Sequence, residues 1–324
     1  MTAPLDVPSE PVLAGDDEVL RALVRRRDRG RRDDGHRIAL VIGGGGMRGA
    51  YSGGMAHALE DAGLAPWFDV VYGSSAGAFV GAALVIGEGA AASAIFHEDM
   101  ACRAFVDPRR IGAGKPLLSL DYLLDEVMVS SKPMPWARLR DSPVPLRVVA
   151  TAVDDLSGHV LGPRTIDEWR RAMRATATIP WVAGPPVPLH GRLWIDGSVA
   201  EPLPVPRALR EGATHVLALL NRSAVELVRA VPDTAPARWA SAIDRVVPGL
   251  GAMAQEARRH GEVVALLTDA RHAQRAGAHV LAITPPHGLG VRGLTTDVQR
   301  VKEATECGYA TLQAALDRAL TAAA

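Results

Sequence analysis

Cysteine is scarce in this chain: two in 324 residues, Cys102 and Cys307, far apart. Two isolated thiols build no disulfide framework and lack the spacing of a metal site, so the expectation is a reducing compartment and no bound metal. Aromatics supply only 4% of the sequence, although hydrophobic residues reach 48%. A sizeable core is therefore expected, filled by Ala, Val and Leu. Net charge is absent as well, with 36 basic residues against 36 acidic ones. That balance argues against nucleic acid as a partner and leaves a membrane surface only a local patch to act on. No apolar h-region stands at the N-terminus, and no long hydrophobic run occurs. The best one, Ala76 to Ala94, is interrupted by Glu88 and glycines, which reads as a buried helix followed by a break. A cytoplasmic protein is expected, peripheral to a membrane if a patch provides for it.

Residues 1–36 are polar and charged, ending in "RRRDRGRRDDG". They read as a partly disordered, solvated arm, with membrane-surface or partner binding as the other reading. Val19, Leu20, Leu23 and Val24 fit one short amphipathic helix within it. Order is expected from residue 37 to 324, in one catalytic domain. Apolar runs at Arg37–Ile42, Asp69–Tyr72, Leu146–Ala152, Leu193–Ile195, Thr214–Leu220 and His279–Pro285 read as strands. Helical stretches at Met47–Ala62, Ala76–Ile86, Ile166–Thr176 and Val205–Glu211 alternate with them, and an Ala-rich helix closes the chain. Such alternation predicts an α/β fold with a mostly parallel sheet covered by helices. Residues 101–144 are irregular apart from a helix near Leu118–Met128, and read either as a variable region that shapes a pocket or covers it, or as plain irregular surface.

Three short elements carry chemistry. Gly73-Ser74-Ser75-Ala76-Gly77 fits G-x-S-x-G between a strand and a helix. There the central serine sits on a sharp turn at the positive end of the helix that follows. Gly43-Gly44-Gly45-Gly46-Met47-Arg48-Gly49 lies between the first strand and first helix. Its amides can converge on an anion, either a nucleotide phosphate or the oxyanion of an acyl transfer. The nucleotide reading wants an acid at the end of the second strand. Asp69 is in range but begins that strand, whereas the strand ends at the serine elbow, which favours the oxyanion. Asp196-Gly197 follows "RLWI". Asp196 is either a turn residue or a general base. Arg48 either binds a substrate phosphate or orients the loop, or pairs with an acid.

In order and spacing, "GGGGMRGAYSGG", "GSSAGA" and "RATATIPWVAGPPVPLHGRLWIDGSVAEPLPV" resemble the patatin-like phospholipases, from about Arg37 to Leu219. The resemblance implies a three-layer α/β/α fold and a Ser–Asp dyad, with Ser75 as nucleophile and Asp196 as base. It assigns Gly44, Gly45, Gly46 and Arg48 to the oxyanion loop. It also implies a lipid or other acyl-ester substrate and no cofactor. The family usually has Gly or Ala after Asp-Gly, and this chain has Ser198. Two alternatives stand beside this reading. One is a Ser–Asp–His triad completed by His287, which follows in the hydrolase chain order. The other is a non-catalytic nucleotide- or lipid-binding protein.

Overall fold

A computed structural model describes residues 12–229 and 277–321. Nine strands form one sheet: β1 Val12–Gly15, β2 Ile38–Ile42, β3 Val70–Ser74, β4 Leu146–Ala152, β5 Gly158–Leu161, β6 Val187–Leu189, β7 Arg192–Asp196, β8 His215–Leu219 and β9 His279–Thr284. The order is β1-β9-β8-β2-β3-β4-β7-β6, with β5 also paired to β4. From β9 to β4 every neighbouring pair is parallel. Antiparallel pairing is confined to the flanks. The expected mostly parallel α/β sheet is therefore present.

Burial explains the layering. Alternate residues of a strand face opposite sides of its sheet. In β2, Ile38, Leu40 and Ile42 enter one apolar core while Ala39 and Val41 enter the other. β8 divides in the same way. Strands buried on both faces read as continuous apolar runs, which is why these were legible. The larger core lies under α1 Glu18–Arg29, α2 Gly49–Asp61, α3 Ala76–Val85, α4 Gly89–Ile95, α5 Ile166–Ala177 and α6 Val298–Thr321. The smaller core includes Val205 and Ala208 of a short helix on the opposite face.

The charged N-terminal segment departs from the solvated arm expected of it. Residues 1–11 lie outside the described residues, but β1 pairs with β9 and α1 packs into the main core through Val19, Leu20, Ala22, Leu23 and Val24. Its buried Arg26 is fully engaged. The guanidinium donates to both carboxylate oxygens of Asp34, to Asp69 Oδ2 and to the carbonyls of Trp67 and His36. Arg26 beside it holds the Asp34 carboxyl well below the usual carboxylate range. The charge run had suggested solvent; a single arginine with complete partners lets it pack.

The helix expected at Leu118–Met128 starts later. Leu118 is held extended by a bridge to Val106, and a wide π-helical segment follows over Tyr122–Ser131. A second π-helical turn, Phe96–Met100, extends α4. Helix α5 opens with a capping box, Thr165 Oγ1 accepting from the Glu168 amide while the Glu168 carboxylate accepts from Thr165 N.

Candidate active site

β3 and β4 run parallel, and β7 pairs antiparallel with β4. Strand β3 thus ends beside the end of β7, although the two are more than a hundred residues apart in the chain. β3 stops at Ser74 and α3 begins at Ala76, leaving Ser75 alone on the turn. Its backbone sits at φ 52° and ψ −128°. A non-glycine residue there stores strain of about 1–3 kcal/mol and persists only if its surroundings hold it. Here the Ser75 amide donates to Thr176 Oγ1 at 2.9 Å, and that hydroxyl donates to the Val149 carbonyl at 2.5 Å. Next to it, Ser74 Oγ donates to the Glu201 carbonyl at 2.7 Å. The elbow is thereby tied to α5, β4 and the segment after β7.

Asp196, the last residue of β7, is 1% exposed. Its amide donates to the Thr178 carbonyl at 2.8 Å, and its own carbonyl accepts from Thr151 Oγ1 at 2.8 Å. With the backbone fixed, the carboxylate meets three donors. Ser75 Oγ donates to Oδ2 at 2.7 Å. The Ser198 amide and hydroxyl donate to Oδ1 at 2.7 and 2.6 Å. Burial raises the carboxyl above its ordinary value, and the hydrogen bonds from Ser198 and Ser75 oppose that shift.

The glycine loop lies against this pair. A side chain on Gly44 would put its Cβ 3.0 Å from Ser198 Cβ and 3.2 Å from Ser75 Cβ. Gly46 has φ 59°, and a Cβ there would meet the Gly293 carbonyl at 2.5 Å. The loop is anchored by Asn221, whose Nδ2 donates to the Gly43 carbonyl at 2.7 Å while its Oδ1 accepts from Ser52 N at 3.2 Å. Gly44 N–H donates to the Pro202 carbonyl at 3.2 Å and so is engaged within the fold. Among the described residues, no acceptor takes the N–H of Gly45 or Gly46. Of the four residues assigned to the loop's anion-binding role, these two hold the free amides. Arg48 makes a long ion pair with Glu226, 3.9 Å, and its buried Nε has no acceptor among the described residues.

The remaining sequence candidates sit elsewhere. His287 is exposed, and its Nδ1 lies 3.4 Å from Ser223 Oγ. The partners of the Asp196 carboxylate are serine groups, so the structure does not assemble the triad. Asp69 accepts from Arg26 and from the Ile38 amide at the start of β2. It therefore lies at the opposite end of the strands from the glycine loop, where it cannot meet a ribose, and the dinucleotide reading loses its acid. Sequence reasoning missed Thr176, Asn221 and Thr151. Ser198 was visible only as a departure from the family's usual small residue. Among the described residues, no group of three or more His, Cys, Asp or Glu is placed to hold a metal ion. No described helix is long and apolar enough to cross a membrane.

A cavity of about 520 Å³ starts at Ser75, with Phe79, Ala83, Phe96, Leu123 and Met128 among its walls. This falls within the range of small-molecule sites, about 300–1,000 Å³. The irregular region 101–144 furnishes one wall, through Phe105, Leu118, Leu120 and the segment Lys132–Pro135. Apolar walls ending at an acidic-residue-backed hydroxyl suit a long hydrocarbon attached to a reactive polar group.

Comparison with known proteins bears on this geometry. A family model described as patatin-like phospholipase matches residues 40–209. An uncharacterised protein of Escherichia coli K12, YjjU, is 33% identical over 186 residues, 56% of this chain and 51% of that protein. An uncharacterised NTE family protein of Mycobacterium tuberculosis H37Rv, Rv1063c, is 31% identical over 227 residues, 67% of this chain and 57% of that protein. The chain thus spans about half the length of these curated relatives. Among solved structures, VipD from Legionella pneumophila aligns with 87% of this chain and 67% of its own, at 15% identity and a TM-score of 0.45.

Proposed function

Because this chain belongs to the patatin-like phospholipase family, we propose that it is a lipid acyl hydrolase working through a Ser75–Asp196 dyad. The observation that carries the reading is the 2.7 Å hydrogen bond from Ser75 Oγ to Asp196 Oδ2, at the head of the apolar cavity. Ser75 Oγ attacks the ester carbonyl carbon as its proton passes to Asp196 Oδ2. The carbonyl oxygen becomes an oxyanion and receives the N–H groups of Gly45 and Gly46, with the Arg48 charge beside the loop. Collapse of the tetrahedral intermediate breaks the ester bond, and the proton on Asp196 leaves with the alcohol or lysolipid. The acyl chain stays in the cavity as a serine ester. Water then attacks with Asp196 as its base, and fatty acid departs with Ser75 restored. The route needs no metal or organic cofactor.

Burial makes the base stronger than an exposed aspartate, which matters because an ordinary carboxylate is a poor match for a serine hydroxyl. The hydrogen bonds from Ser198 oppose the rise that burial causes and favour the ionised form. The test is covalent labelling by a fluorophosphonate, with hydrolysis of p-nitrophenyl esters and of phospholipids. Ser75→Ala should abolish labelling, and Asp196→Asn should remove most turnover with the fold intact. Normal hydrolysis by Asp196→Asn would sink the dyad. A chain whose serine never labels would instead fit the non-catalytic binding reading.

A further inference from the structure

The chain is neutral overall, yet its charge is unevenly placed. Residues 103–115 carry Arg103, Arg109, Arg110 and Lys115 against a single acid, Asp107. Among the described residues none of these four side chains enters an ion pair, whereas the acids just before them, Glu98 and Asp99, are bound by Lys132. The base of this loop is clamped. Asp107 N donates to the Leu117 carbonyl at 3.1 Å, Val106 bridges Leu118, and Leu118 N donates to the Val182 carbonyl at 2.7 Å. The clamp sets the base of the loop next to the segment of Trp181, which is 68% exposed. Trp181 is held at φ 67° by a tight turn in which the amides of Val182 and Ala183 both donate to the Ile179 carbonyl. Prolines 180, 185 and 186 stiffen the segment. Ile111, at the loop's tip, is 60% exposed. The same clamp turns Phe105 and Leu118 inward, into the wall of the cavity at Ser75.

We infer that this collar, Trp181 together with the loop residues Arg109, Arg110, Ile111 and Lys115, docks the protein on an anionic lipid surface. The inference rests on the lipid-hydrolase reading for its purpose, and on the collar itself for its chemistry. A rigid, exposed tryptophan suits the headgroup layer, where one part of its ring is apolar and its N–H stays wet. Unpaired arginine and lysine side chains complement anionic headgroups. A neutral surface satisfies the tryptophan and leaves the bases without partners, so the charge selects the anionic one. The N-terminal helix is not free for this task, since its apolar stripe is built into the core.

The test uses the full chain with Ser75→Ala, so that vesicles survive the measurement. Its sedimentation with phosphatidylcholine vesicles containing phosphatidylglycerol is compared with pure phosphatidylcholine. Binding should prefer the anionic vesicles and weaken with salt. Arg109→Gln/Lys115→Gln should lower the partition coefficient about fivefold for each charge removed. Trp181→Ala should weaken binding to both vesicle types. With Ser75 intact, both collar variants should hydrolyse soluble p-nitrophenyl butyrate at the parent rate, which shows that they fold. Equal vesicle binding by the parent and both variants would overturn the docking face. So would self-association without vesicles that Trp181→Ala abolishes, because it would assign the face to a second copy. A protein that binds vesicles through the collar but hydrolyses no ester would refute the hydrolase and leave the docking face standing.

Discussion

Ser198→Ala isolates what the hydroxyl beside the base contributes. It removes one of three hydrogen bonds to the Asp196 carboxylate, the 2.6 Å bond from Ser198 Oγ to Oδ1, and keeps the Ser198 amide and Ser75 Oγ in place. The Cβ that packs on Gly44 also remains. A hydrogen bond to a charged group contributes about 1.5–3 kcal/mol. Its loss should raise the Asp196 pKa further. The direction follows from the favoured state: the bond stabilises the ionised form, so removing it makes protonation easier. Only ionised Asp196 can accept the serine proton, so activity rises with pH through this pKa. The acid limb of kcat/KM for p-nitrophenyl butyrate should therefore move to higher pH, with a plateau preserved above it. An acid limb that stays put, or moves toward lower pH, would show that Asp196 does not set it and would refute the assignment.

Further outcomes are open to direct measurement. Gly46→Ala places a methyl 2.5 Å from the Gly293 carbonyl at a positive φ, so the loop must shift; kcat should fall by about 10²–10³, the usual loss for one oxyanion donor, and a parent-like kcat would remove Gly46 from that role. Ala83→Phe fills part of the cavity; each methylene it excludes forfeits about 0.8 kcal/mol, or roughly fourfold in selectivity for long acyl chains, and an unchanged chain-length profile would place the acyl group elsewhere. His215 is buried between the rings of His36 and His279, and desolvation first, then those two neighbours, bring its pKa from 6.5 down to about 4. The unfolded chain then takes up the proton first, so stability from this group is present above pH 6.5 and is lost as pH falls toward 4. Urea midpoints measured at pH 7, 6 and 5 should decline, and His215→Phe should decline less; equal slopes would dismiss the linkage.

How much of this was legible depended on whether a residue's role was local. β2, β3, β8 and β9 are buried on both faces and read as unbroken apolar runs. The serine elbow and glycine loop announce themselves because tight backbone turns demand small residues at fixed offsets. β1, β5 and β6 have three or four residues each, and their strand character comes from the neighbour they pair with. The charged segment misled because Arg26 finds its acids 8 and 43 residues away. Thr176 lies in an ordinary helical stretch, and only its hydrogen bond to an amide 101 residues distant makes it a support of the serine elbow. Gly44 matched the anion-loop pattern in sequence, yet its amide points to Pro202, a choice made by the tertiary fold.

The proposed dyad, which has no histidine, sets its own physical requirement, and the site's layout is consistent with it. The base must be ionised before the reaction and willing to become neutral during it. Exposure to water meets the first need and defeats the second, because a solvated carboxylate holds a proton weakly. Burial does the reverse. Asp196 is enclosed, which favours its neutral form, yet it accepts hydrogen bonds from two donors that do not react. Those donors favour the ionised form, and in the proposed reaction Ser75 Oγ is the third donor and the one whose proton moves. In the proposed transfer, negative charge leaves a buried carboxylate and reappears on the substrate oxygen near the loop amides. Charge therefore migrates between two prepared hydrogen-bonding environments, so little reorganisation is required at the barrier. On this account Ser198 and the free amides of Gly45 and Gly46 are opposite ends of one device. Weakening the first should make Asp196 a stronger base with a narrower working pH range, whereas weakening the second should depress the rate at every pH.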